Sequence, residues 1–134
     1  MLKKMKVSDV MTKDVLTINP DEEVVFAFEK LMKHKISALP VLDDSNKMIG
    51  IVTASDLGHN LILDNYKIGT KVSNAMVTDI TSTNPDETLY TVICKMEHDA
   101  PEGSIVNQLP VLEEGKLVGI ITDGDIIKHL KECI

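Results

Sequence analysis

A threonine and an aspartate three residues apart, each pair directly after an apolar run, occur twice in this 134-residue chain. Thr53 and Asp56 lie in Gly50-Ile51-Val52-Thr53-Ala54-Ser55-Asp56, and Thr122 and Asp125 lie in Gly119-Ile120-Ile121-Thr122-Asp123-Gly124-Asp125. A carboxylate can accept two hydrogen bonds from a vicinal diol such as that of ribose, and a threonine hydroxyl can donate to a phosphate or sugar oxygen. Where a strand ends and a helix begins, the first helical N–H groups lack intrahelical partners and the dipole presents its positive end. That position suits an anionic or hydroxyl-rich ligand. The same spacing also serves a purely structural purpose, because in a capping box each Thr/Asp pair satisfies the orphan donors of the following helix and binds nothing. Both readings stay open on the residues alone, and two occurrences at equivalent places shift the balance toward a ligand.

The recurrence extends well beyond the signature. Lys6 to His34 aligns without gaps with Lys71 to Asp99, and Ile36 to Leu61 aligns with Val106 to Leu130 with one residue skipped, giving 20 identical pairs in all. Two copies of one fold unit is the economical interpretation. The period of 65 to 70 residues exceeds the roughly 20 to 50 of solenoid repeats, so each copy is expected to be a small subdomain. A lone half would bury too little surface to be comfortably stable. The halves are therefore expected to pack on each other, share a core and be related by a pseudo-twofold axis.

The elements that must carry the Thr/Asp pairs follow from pattern. Ser8 can cap a short helical turn, and Val15-Leu16-Thr17-Ile18 reads as a strand stopped by Asn19-Pro20. Asp21 is the next cap, and Val24, Val25, Ala27, Phe28, Leu31 and Met32 recur at helical spacing up to His34. Ala38 to Leu42 and Met48 to Val52 flank the turn formers Asp43-Asp44-Ser45-Asn46-Lys47 and predict a hairpin, followed by a helix from near Ser55 through Leu63. The second copy repeats the order from Ile80 to the C-terminus, with a hairpin around Glu113-Glu114-Gly115 and an insertion, Asp99 to Ser104, of its own. Each copy thus reads β-α-β-β-α, an α/β (α+β) architecture. The helices after Asp56 and Asp125 carry Leu57, Leu61, Ile62 and Leu63, and Ile126, Ile127 and Leu130, more apolar surface than one short sheet can cover. A homodimer assembled through these helices is expected.

Composition limits the function classes. Hydrophobic residues make up 43% and charged residues 26%, near the average for a folded globular chain, while only 3% are aromatic, so Val, Ile, Leu and Met must fill the core. Net charge is -7 and all 14 basic residues are Lys. An acidic chain without Arg argues against nucleic acid as partner, and planar bidentate forks for phosphate are unavailable. No apolar stretch is long enough to span a bilayer, and the basic start Met1 to Lys6 leads into no signal-peptide core. Two cysteines, Cys94 and Cys133, make no disulfide framework. A cytoplasmic location is expected.

Other candidates are weaker. Lys33-His34-Lys35 could approach a ligand phosphate, or simply complement the negative C-terminal end of its helix. His129 and Cys133 are four apart on a helix and could share a metal, but two ligands without a third do not make a site. Paired acids such as Asp43-Asp44 and Glu113-Glu114 fall in hairpin turns, and no nucleophile with supporting context is present. Nothing argues for catalysis or a metal.

The paired copies, the Leu39-Pro40-Val41 and Leu109-Pro110-Val111 strands and the two Gly-x-x-Thr-x-x-Asp junctions together resemble a tandem pair of CBS domains, a Bateman module, over roughly Lys6 to Leu130. The resemblance implies two CBS repeats, 6–64 and 71–134 joined by a linker at 65–70, packed through their sheets. It implies clefts between the repeats for adenosine-containing ligands such as AMP, ATP or S-adenosylmethionine, with no required cofactor. Carried over by position, Asp56 and Asp125 match the ribose-binding acid and Thr53 and Thr122 the hydroxyl that contacts phosphate or ribose. Backbone near Val15, Ala38, Ile80 and Gln108 matches the adenine-facing strands, and Thr70 matches a linker hydroxyl lining the cleft. Members that grip several phosphates often carry basic residues just before the Leu-Pro step, where this chain has Ser37-Ala38 and Asn107-Gln108. The expected function is a non-catalytic sensor preferring AMP, S-adenosylmethionine or methylthioadenosine to ATP, acting on an effector protein or a second copy. A ligand-independent dimerisation scaffold is the alternative.

Overall fold

A computed structural model describes residues 1–98 and 107–133. The insertion expected at 99–104 lies outside the described residues. The chain divides into two compact units, and their boundaries differ from those of the sequence repeats: one unit is Leu16–Ile80, the other joins Met1–Val15 to Thr81–Ile134. Each unit therefore combines the hairpin and helices of one repeat with the opening segment, or arm, of the other.

In the unit Leu16–Ile80, helix α1 (Val24–His34) buries Val24, Ala27 and Leu31, a single stripe at spacings of three and four, with Phe28 packed alongside. Val25 and Met32, expected on the same face, are exposed, since the stripe is only one residue wide at each turn. The helix ends at Lys35, which adopts the left-handed conformation (φ 54°, ψ 42°) and donates its N–H to the Leu31 and Met32 carbonyls. Exposed Lys33 and His34 occupy the last turn, where the Lys33 charge complements the helix dipole. Strands β1 (Ala38–Leu42) and β2 (Met48–Thr53) pair antiparallel, with Ala38 opposite Thr53, and helix α2 (Ala54–Ile62) follows at once. The leading strand expected at residues 15–18 is reduced to one parallel bridge, Ile18 to Val41. Asp21 does not cap α1; Asn19 instead closes a local turn by accepting from the Asp21 N–H at 2.9 Å.

The arm Lys71 to Ile80 completes this unit. Val72 is fully buried with Leu39, Val41, Val52 and Leu57, and Val77 exchanges two backbone hydrogen bonds of 2.9 Å with Ile51 on β2.

The other unit repeats the plan with helix α3 (Leu89–His98), strands β3 (Gln108–Glu113) and β4 (Lys116–Thr122), and helix α4 (Asp123–Cys133). Its arm is the N-terminus: Val7 is buried with Leu89, Leu109 and Ile121, and Thr12 exchanges hydrogen bonds of 2.8 and 2.9 Å with Ile120 on β4. Among the described residues each unit has its own cluster of buried side chains. The arms contribute to these clusters, since each adds a buried valine and an extra edge to a two-stranded hairpin that could not close a core alone. Leu57 and Ile126 belong to these cores and leave the set expected at a helix-mediated contact.

The glycine that opens each signature is explained by the same arms. A Cβ on Gly119 would stand 2.8 Å from the Met11 sulfur and 2.9 Å from the Thr12 carbonyl oxygen, and one on Gly50 would stand 2.5 Å from the Met76 sulfur. Only glycine lets the arm lie this close to the strand.

Candidate functional site

Strand β2 delivers Thr53 in an extended conformation (φ -116°, ψ 151°) as the N-cap of α2. Its hydroxyl accepts from the Asp56 N–H at 3.2 Å, while the Ala54 N–H donates to the Ser37 carbonyl at 2.8 Å. The threonine half of the capping box is therefore realised. The aspartate half is not, because Asp56 is exposed and, among the described residues, nothing donates to its carboxylate. Its backbone carbonyl accepts from Asn60 Nδ2 at 2.8 Å, and Asn65 Nδ2 in turn donates to Asn60 Oδ1 at 2.9 Å. Tyr66 belongs to this neighbourhood: partial burial first, and the Asp56 charge second, hold its hydroxyl above the usual tyrosine pKa, against a hydrogen bond with Asn60.

The equivalent junction in the other unit is bonded differently. Thr122 Oγ accepts from the Asp125 N–H at 3.0 Å and the Thr122 N–H donates to Asp125 Oδ2 at 3.1 Å, a complete capping box. Thr12, on the arm, adds its hydroxyl as a donor to Asp125 Oδ1 and Oδ2 at 3.3 and 3.4 Å. In the repeat alignment Thr12 corresponds to Val77, so Asp56 has no counterpart to this bond. Asp125 also lines a cavity of about 200 Å³ with Asp9, Val10, Lys128, His129 and Glu132. A second hollow of about 320 Å³, lined by residues such as Asn19, Leu42 and Asp43, lies at the turn end of the first hairpin, away from Thr53.

Of the residues carried over from the resemblance, strand pairing sets Ala38 opposite Thr53 and Gln108 opposite Thr122. Ala38 is buried and Gln108 half-buried. Thr70 spends its hydroxyl on the Lys67 carbonyl at 2.7 Å, closing a local turn. Val15 and Ile80 are half-buried at the ends of the two arms. Thr12 and Tyr66 escaped the sequence reading. The only signal for Thr12 was a hydroxyl where the other repeat has valine, and its meaning depends on a contact 113 residues away.

Among the described residues no group of three or more His, Cys, Asp or Glu side chains is placed to hold a metal, and no helix is long and apolar enough to cross a membrane. The cysteine of the His129/Cys133 pair has a side chain outside the described residues.

Residues 7–61 and 72–132 each match the CBS domain family. The chain is 34% identical over 141 residues to methylated protein MJ0556 of Methanocaldococcus jannaschii, covering 99% of this chain and 78% of that one. Several other curated relatives are longer, and the chain spans 24% of each of three of them. A solved CBS domain pair of protein MJ0100, in complex with 5′-methylthioadenosine and S-adenosyl-L-methionine, matches with a TM-score of 0.81 and 27% identity over 94% of this chain and 99% of that one. CBSX2 from Arabidopsis thaliana, in complex with AMP, matches with a TM-score of 0.79 and 26% identity over 96% of this chain and 98% of that one. Two family matches on the two halves, each with the same hairpin, helix and Thr/Asp junction, establish that the chain belongs to the CBS domain family and carries the domain as a tandem pair.

Proposed function

We propose that the chain is a regulatory module that binds adenosine-containing ligands at its Thr/Asp junctions and transmits the bound state without catalysing a reaction. AMP, S-adenosylmethionine and 5′-methylthioadenosine are the preferred ligands, ahead of ATP. The observation that carries this reading is Asp56, an exposed carboxylate in the first turn of α2 that accepts no hydrogen bond among the described residues. A carboxylate serving only as a cap would be engaged, as Asp125 is. The solved relatives bound to AMP and to S-adenosylmethionine with methylthioadenosine support the ligand class. The preference against ATP rests on charge, since Ser37-Ala38 and Asn107-Gln108 supply no cation, the chain lacks Arg and its net charge is -7.

In this reading the ligand acts by population shift, favouring whichever arrangement of the chain it binds better. A homodimer is the proposed receiver of that shift, through Ile62 (86% exposed), Leu63 and Ile127 (64% exposed). Light scattering at micromolar concentration should give twice the chain mass, and a monomer would remove this part of the proposal. The scaffold alternative has its own support in the complete capping box at Thr122 and Asp125.

A thermal-shift panel of AMP, ADP, ATP, S-adenosylmethionine and 5′-methylthioadenosine separates the two. A ligand at about 100 times its Kd adds about 2.7 kcal/mol, which for a chain of this size raises Tm by roughly 10 °C. Asp56→Asn should weaken its site by about 1.5 to 3 kcal/mol, the value of hydrogen bonds to a charged acceptor. No shift with any ligand would favour the scaffold.

A further inference from the structure

The geometry points to two unequal ligand sites, with Thr12 as the residue that sets the inequality: its hydroxyl latches Asp125, while Asp56 stands open. This inference rests on the proposed ribose role of the two aspartates.

The two junctions have matching backbones. Thr12 bridges Ile120 with hydrogen bonds of 2.8 and 2.9 Å, and Val77 bridges Ile51 with two of 2.9 Å. Both aspartate N–H groups are capped by the threonine three residues earlier. The junctions differ in what reaches the carboxylate. Asp125 accepts from the Thr122 N–H at 3.1 Å and from Thr12 Oγ at 3.3 and 3.4 Å, whereas the position equivalent to Thr12 is Val77, which has no hydroxyl, and Asp56 accepts from no described residue. A ribose diol asks a carboxylate for two acceptor positions. At Asp56 no described residue draws on the carboxylate. At Asp125 the Thr122 N–H and the bifurcated Thr12 hydroxyl already draw on the roughly four lone-pair positions of the carboxylate, so the diol competes with them and part of the binding free energy is spent on exchange of one hydrogen bond for another. The latch comes from the arm of the opposite sequence repeat, so it is a property of the folded tandem chain and not of either repeat's own signature.

Because Val77 marks the same backbone position, the residues can be traded in both directions. Calorimetric titration of the full chain with AMP, and separately with 5′-methylthioadenosine, is the test. The wild-type chain should bind at two affinities, with Asp56→Asn abolishing the tighter site and Asp125→Asn the weaker. Thr12→Val should tighten the weaker site about fivefold and leave the tighter one unchanged. Val77→Thr should weaken the tighter site by a similar factor. Two equal sites in the wild-type chain, a weaker site unmoved by Thr12→Val, or one that binds less well in that variant would overturn the latch while leaving the ribose role standing. No binding of either nucleoside, or binding untouched by both Asn variants, would remove the ribose role and the latch with it. Tyr66, beside Asp56 in a chain with no Trp, gives a second readout: its fluorescence should respond to the tighter binding event and lose that response in Tyr66→Phe.

Discussion

Glu87 shows how one side chain can tune the stability of its unit. Partial burial pushes its pKa up, but donation from Lys95 Nζ at 2.8 Å and Thr83 Oγ at 2.9 Å, the Lys95 charge and the Asn84 backbone outweigh it and hold the carboxyl below its ordinary 4.5. A carboxylate whose folded pKa is depressed contributes stability above its unfolded pKa and loses it as pH falls through the folded value. The contribution is therefore present above about pH 4.5 and fades below it. Lys95→Met should cost about 1 kcal/mol at neutral pH, a figure reduced for the partly exposed pair, and progressively less toward pH 3. Urea unfolding of both proteins at pH 7, 5 and 3 measures this, and a cost that stays constant with pH would contradict it. The other unit has the matching lysine, Lys30, bonded to the Thr17 carbonyl at 2.7 Å, but Ile18 replaces Thr83 and, among the described residues, no carboxylate joins. Asp56 and Asp125 were legible as a pair in the sequence. Their inequality was not, because it is written in Thr12 and Val77, which sit far from either signature.

At the scale of elements, the hairpins and the helices after them were legible from alternation and from the Thr/Asp start signal, and their bounds agree within a residue or two. Helix α1 was over-read. Six apolar residues at mixed spacings suggested a broad face, yet only Val24, Ala27 and Leu31 are buried, since the element covers a hairpin of only two strands and a single arm. The leading strands were lost for a related reason: each needs a longer edge to pair with than the single bridge available at Val41 or Val111. The signature glycines carry a testable consequence. Gly119→Ala would drive a methyl against the Thr12 carbonyl, which is backbone and cannot swing aside, and should destabilise by about 1 to 3 kcal/mol. Gly50→Ala meets the Met76 sulfur, Cγ and Cβ at 2.5, 2.8 and 3.1 Å, all of one unbranched side chain that can turn about its own bonds where a backbone carbonyl cannot, and should cost less. Denaturant midpoints of the two variants decide the order, and equal costs would mean that both arms yield alike.

At the scale of the whole molecule, the duplication was legible because it leaves identities in the sequence, and it led directly to the family. The exchange of arms left no such trace. Alignment groups Lys6 to Val15 with the repeat that follows it, since similarity records descent and order along the chain, whereas the fold places that segment on β4. The exchange also dictates an order of events during synthesis. Residues 16–80 form a contiguous unit, so its complete set of contacts exists once residue 80 has been made. The first fifteen residues, though made earliest, pair with Glu87, Ile120 and Asp125, and the Thr12 contact with Asp125 spans 113 positions. Contacts of such separation are slow to form because loop closure must precede them. The segment with the apolar Val7, Val10 and Met11 is therefore made before β4 and α4, which it meets in the folded unit, exist.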